Sequence, residues 1–96
     1  MPFFEPFKNE PEYNIDYKYY APISVLSANI DGKIIPLLFK YEEQDKSIET
    51  VKIESVHSTK IIKYGFKYCC NVITYGKLKQ VNIIFYKNLI KWVLEK

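Results

Sequence analysis

Side chains able to do covalent or metal chemistry are few in this chain of 96 residues. The single histidine, His57, is followed by Ser58. A base and a nucleophile adjacent on an extended chain point to opposite sides, so this pair builds no acyl-transfer site. Cys69 and Cys70 are the only cysteines. On a strand they too face apart, so they cannot bond to each other. With one histidine twelve residues upstream of Cys69 they fall short of a metal's ligand set. They read as reduced thiols, one in the core and one nearer solvent. Gly32, Gly65 and Gly76 are the only glycines, each placed for a turn rather than a phosphate cradle. Glu42, Glu43 and Asp45 lack the spacing and the glycine of a calcium loop and read as a solvated turn. No carboxylate pair stands out for acid–base work. The expectation is no enzyme activity, no metal and no cofactor.

Binding chemistry is better represented. Lys60, Lys63, Tyr64, Lys67 and Tyr68 are followed by Lys77 and Lys79. Cations interleaved with aromatic rings suit single-stranded nucleic acid, because ammonium groups hold phosphates while rings stack on bases. On a strand Tyr68 faces away from Lys67, which assigns Tyr68 to the core. The candidate binding surface is therefore Lys60, Lys63, Tyr64, Lys67, Lys77 and Lys79. Net charge is +3 and unevenly spread. Residues 1–45 hold four lysines against eight acids, and residues 46–96 hold ten lysines against three. The bland alternative is a solvated face. All fourteen basic residues are lysine, beside thirteen Ile, nine Tyr and six Asn, a composition that A/T-rich coding favours. Lysines also blunt strand edges, and geometric readout of bases or phosphates leans on Arg, which is missing.

The elements that must carry these residues read as short strands and turns. Residues 1–22 are set apart by Pro2, Pro6, Pro11 and Pro22 among Phe3, Phe4, Phe7, Tyr13, Tyr17, Tyr19 and Tyr20. Prolines at that density exclude a helix, and so many rings favour burial, so the expectation is an extended arm lying on the domain or on a second subunit. From Ile23 a strand leads to Asp31-Gly32, a two-residue hairpin signal. The return run contains Pro36, which demands an edge strand or a bulge there. Residues 48–56 alternate with imperfect phase, which implies a one-residue bulge. Residues 57–65 fit either a long loop or a short strand. Alternation resumes from Phe66, turns at Tyr75-Gly76 and returns through Val81, Ile83 and Phe85. Residues 89–95 fit a strand or two turns of helix, and their aromatic and β-branched content favours the strand.

Five or six antiparallel strands, with turns every eight to twelve residues or so, predict an all-β domain over residues 23–96, a small barrel or strongly curled sheet. The predicted core is Val25, Ile34, Phe39, Val51, Ile53, Phe66, Tyr68, Val72, Val81, Ile83, Phe85 and Trp92. The longest uncharged stretch lies within residues 19–30, too short for the ~20 apolar residues of a membrane helix. No signal peptide is read at Met1-Pro2-Phe3-Phe4-Glu5, so a cytoplasmic location is expected.

The run Ser27-Ala28-Asn29-Ile30-Asp31-Gly32-Lys33-Ile34-Ile35-Pro36-Leu37 and the ending Trp92-Val93-Leu94-Glu95 carry a resemblance. Over residues 23–95 the chain resembles a group of small uncharacterised proteins from Firmicutes. These share a strand–Asp-Gly–strand opening and a terminal Trp-x-x-Glu. Some are encoded beside Y-family DNA polymerases, which implies a link to DNA repair without an activity. Where that group has an Arg-containing loop, this chain has Val56-His57-Ser58-Thr59. The combined expectation is a non-enzymatic binding module, an accessory to nucleic-acid processing whose partner is single-stranded nucleic acid or a protein that processes it. The alternative is a protein-interaction or homo-oligomerisation module that uses the aromatic arm.

Overall fold

Tight turns set the connectivity. Asp31 and Gly32 have φ of 52° and 76°, and Tyr75 and Gly76 have φ of 51° and 76°. Two successive positive φ values are the mark of the type I′ turn, whose twist matches that of the strands it joins. A computed structural model describes residues 15–43 and 45–96. It contains six strands: β1 (Tyr20–Ile30), β2 (Lys33–Glu42), β3 (Ile48–Ile62), β4 (Gly65–Thr74), β5 (Lys77–Tyr86) and β6 (Lys91–Glu95). All neighbours are antiparallel, and pairing of β1 with β6 closes the barrel in the order β1-β2-β3-β4-β5-β6. The all-β barrel expected from sequence is the fold observed, with six strands. Among the described residues no helix is long and apolar enough to cross a membrane.

Two bent strands close the structure. Residues 20–23 of β1 pair with β6, and residues 24–30 pair with β2. Residues 48–52 of β3 pair with β2, and residues 53–62 pair with β4. Each strand thus passes from one sheet to the other, which is how a meander of only six strands wraps a core. Extra residues supply the bends. Leu26 pairs with Leu38 but Ser27 with Pro36, so Leu37 is the additional residue of β2, beside the proline that called for it. In β3 the register shifts leave Glu54 and His57 without opposite residues on β4. His57, read as loop or short strand, is therefore a bulge residue within a 15-residue strand. That strand runs on to Ile62, and the turn is Lys63-Tyr64. Residues 91–95 form the strand favoured over a helix.

Gly65 opens β4, and a Cβ there would meet the Phe85 carbonyl oxygen across the sheet. It is glycine because two backbones approach closely, not because its φ is unusual. The core cluster is Phe39, Val51, Ile53, Tyr68, Cys70, Val72 and Ile83. Val25, Phe66, Val81, Phe85 and Trp92 pack against it, half-buried. Trp92 stacks on Tyr68 at 5.7 Å and meets Phe85 at 4.7 Å between ring centroids.

Ile84 and Val93 are buried too, on the other face of β5 and β6, where the sequence predicted no core, and two assignments change at the cluster itself. Cys70 joins the cluster with none of its surface exposed, because it lies on the same face of β4 as Tyr68 and Val72. Ile34 stays outside it. Among the described residues β2 pairs with β3 only through residues 38–42, so the first half of β2 diverges from β3 and leaves Ile34 half-buried. Its carbonyl accepts the Tyr68 hydroxyl at 2.6 Å, which ties the two sheets across the gap.

β1 begins at Tyr20 rather than Ile23. Of the expected arm, residues 1–14 lie outside the described residues. Residues 15–19 lead into β1 through a turn in which the Tyr19 and Tyr20 amides donate to the Asp16 carbonyl at 3.0 and 3.1 Å. The Lys96 amide donates to the Tyr19 carbonyl at 2.8 Å, so the last residue is tied to this turn.

Candidate nucleic-acid interface

Strand alternation and register decide which lysines meet. Residues opposite each other across an antiparallel pair share a face, with Cβ atoms about 5 Å apart. Lys60 of β3 lies directly opposite Lys67 of β4. Inward-facing Phe66, Tyr68 and Cys70 flank Lys67 and Cys69 along β4, so Lys60 and Lys67 share the outer face. Lys63 and Tyr64 form the turn of the same hairpin, with the Lys63 ammonium 5.4 Å from the Tyr64 ring centroid. Four of the six candidate residues therefore come together.

Lys77 and Lys79 do not join them. Lys77 pairs with Thr74 and Lys79 with Val72, at the end of β4 remote from Lys63. Ten residues of β4 separate the two turns, roughly 30 Å of extended chain. Val72 faces the core, so Lys79 lies on the inner side of the sheet, opposite to Lys60 and Lys67. Both distance and face part them from the hairpin end.

A cation not singled out from sequence takes their place. The Lys87 amide donates to the Tyr64 carbonyl at 2.8 Å, fixing residue 87 beside the β3–β4 turn, and its ammonium sits 5.3 Å from the Phe66 ring centroid. Only the register that pairs Gly65 with Tyr86 reveals this neighbourhood, and sequence spacing carries no trace of it.

Charge is polarised along the length of β3. At its start, Glu49 lies opposite Tyr41 and accepts the Tyr75 hydroxyl at 3.2 Å. Asp45 accepts the Ser47 amide at 3.0 Å and its hydroxyl at 2.6 Å, and these bonds hold the Asp45 carboxyl below its ordinary range. Partial desolvation, then Glu49 and Asp45, raise Glu43. At the other end stand Lys60, Lys63, Lys67 and Lys87. Glu95 approaches Lys67, its carboxylate at 3.2 Å from the ammonium, and accepts the Asn82 amide at 3.1 Å. The Asn82 bond, with Lys67, lowers the Glu95 carboxyl.

The cysteines are both free, Cys70 buried and Cys69 half-buried on the outer face. Burial, with Cys69 beside it, pushes the Cys70 thiol up to about 11. A thiol held protonated in this way is a packing group rather than a nucleophile. Among the described residues no group of three or more His, Cys, Asp or Glu is placed to hold a metal ion. No protein-family model, curated protein or solved structure matches the chain.

Proposed function

We propose that this barrel is a non-enzymatic binding module of the bacterial cytoplasm whose β3–β4 hairpin holds single-stranded nucleic acid. The observation that carries the reading is the direct apposition of Lys60 and Lys67, with Lys63, Tyr64 and Lys87 at the same hairpin end. Like charges directly opposite on a sheet destabilise it; Glu95, 3.2 Å from Lys67, offsets part of that cost, and a bound phosphate relieves the part left at Lys60. Each ammonium is a compact point charge without Arg's bidentate fork, which suits backbone phosphates and gives little base discrimination. Tyr64 at the turn supplies a ring for stacking, and Lys63 above it adds charge to the same surface. The resemblance to proteins encoded beside Y-family polymerases points the same way, toward an accessory role in nucleic-acid processing.

The test is fluorescence anisotropy of a labelled single-stranded oligonucleotide over a series of salt concentrations. With the four lysines of the hairpin end on phosphates, log K falls against log salt with a slope of about −3. Binding of single-stranded DNA or RNA that saturates and weakens in this way supports the proposal. No saturable binding at low salt overturns it.

A further inference from the structure

The inner side of the hairpin faces a second feature, which shares Lys87 with the nucleic-acid reading and otherwise lies apart from it. Where the first half of β2 parts from β3, the sheets open into a cleft of about 800 Å³. Its walls are Ile34 and Ile35 of β2, Val56 and Ile61 of β3, and Phe66 and Tyr68 of β4. Ile61 pairs with Phe66 and so faces inward, yet it is 80% exposed, since among the described residues no strand covers it from the β2 side. An isoleucine turned to the interior of a barrel and left open to water is what an unfilled apolar site looks like. The volume lies in the range of small-molecule pockets, which occur at the mouths of β-barrels.

The chemistry of the rim and edges narrows the occupant. Lys33 and Lys87 stand at the rim, and no acid is among the described residues that line the cleft. An extended peptide would need free backbone groups to pair with. Those of β2 are blocked, since the Ile34 carbonyl already accepts the Tyr68 hydroxyl and Pro36 has no N–H. The facing edge of β3 is broken by bulges at Glu54 and His57 and runs regularly only from Ser58 to Ile62, which leaves at most five residues for a peptide to pair with. What remains is apolar wall plus two ammonium groups. We infer that this cleft binds an amphipathic anion, with an apolar chain between Ile34, Ile61 and Phe66 and its head group on Lys33 and Lys87.

Trp92, the only tryptophan, stacks on Tyr68 in the cleft wall and reports occupancy by its fluorescence. The test titrates the full chain with sodium dodecanoate below its micellar range, beside dodecyltrimethylammonium as the cationic counterpart. The inference expects saturable change with dodecanoate and binding of the cation weaker by about tenfold or more. Lys33→Gln weakens dodecanoate by about tenfold, the loss of one charge-assisted contact. Ile61→Glu, at an exposed position that leaves the fold intact by circular dichroism, reduces it further. Lys60→Glu, on the outer face, leaves dodecanoate binding unchanged while weakening the oligonucleotide, so the two sites fail or stand separately. No saturable response, equal affinity for the cation, or indifference to both Lys33→Gln and Ile61→Glu would each overturn the inference.

Discussion

Replacing Lys60 by Glu has two consequences of opposite sign. Lys60 is exposed and lies directly opposite Lys67. In the free protein the substitution turns a repulsive cross-strand pair into an attractive one. Such pairs are worth about 0.2–1 kcal/mol each, and exposure keeps the change toward the lower part of what two of them would give. Because Glu95 already pairs with Lys67 at 3.2 Å and would lie near the new carboxylate, a net gain of only up to about 0.5 kcal/mol is expected, which raises the Tm of a domain this size by up to roughly 4 °C. The gain shrinks at high salt, since the Debye length falls to about 3 Å at 1 M. Oligonucleotide affinity moves the other way. One phosphate contact is lost and a repulsive charge is added, so binding weakens by about tenfold or more. The salt slope loses about 0.7. Thermal melts followed by circular dichroism at low and high salt measure the first effect, and anisotropy measures the second. Lys79→Glu, on the inner side and at the far end of the sheet, is the control and alters neither. A Lys60→Glu protein that is less stable at low salt, or that binds oligonucleotide as tightly as the parent, refutes the reasoning.

Other consequences concern the barrel itself. Tyr68→Phe removes the hydroxyl that bonds to the Ile34 carbonyl at 2.6 Å and leaves that carbonyl unpaired at the sheet gap. A loss of about 1–2 kcal/mol is expected in urea denaturation, with the Trp92 stack retained. Thiol titration of the native protein with a disulfide reagent modifies Cys69 alone. Cys70, buried and pushed up to about 11, reacts only on unfolding. Glu95 is lowered by the Asn82 amide and by Lys67, so the folded state binds its proton more weakly than the unfolded chain does. That contribution is fully present above the ordinary value of 4.5 and is lost as pH falls through the lower folded value. Glu95→Gln therefore destabilises the protein at neutral pH and flattens the acid limb of its stability profile.

Local chemistry made most of the barrel legible. Asp31-Gly32 and Tyr75-Gly76 read as turns because the positive φ values they need are tolerated by few residue pairs. Pro36 announced its bulge because it cannot donate to a ladder. Alternation through residues 66–74 put Tyr68 and Val72 inside. What failed to show was whatever depends on register between strands distant in sequence. Residues 57–62 lost their period because bulges at Glu54 and His57 shift the phase twice. Ile34 looked like core since nothing in its neighbourhood of sequence says that β3 turns away. For the same reason Lys77 and Lys79 looked like neighbours of Lys67, while Lys87 did not.

The assignment of the hairpin rests on position, so it is tested best by position. Backbone amide shifts of ¹⁵N-labelled protein, followed while unlabelled single-stranded oligonucleotide is added, locate the contact residue by residue. Lys60, Lys63, Tyr64, Lys67 and Lys87 are expected to move together and saturate together, with Lys77 and Lys79 still. Shifts centred on the Tyr75-Gly76 end, or scattered over the barrel without saturation, would contradict it.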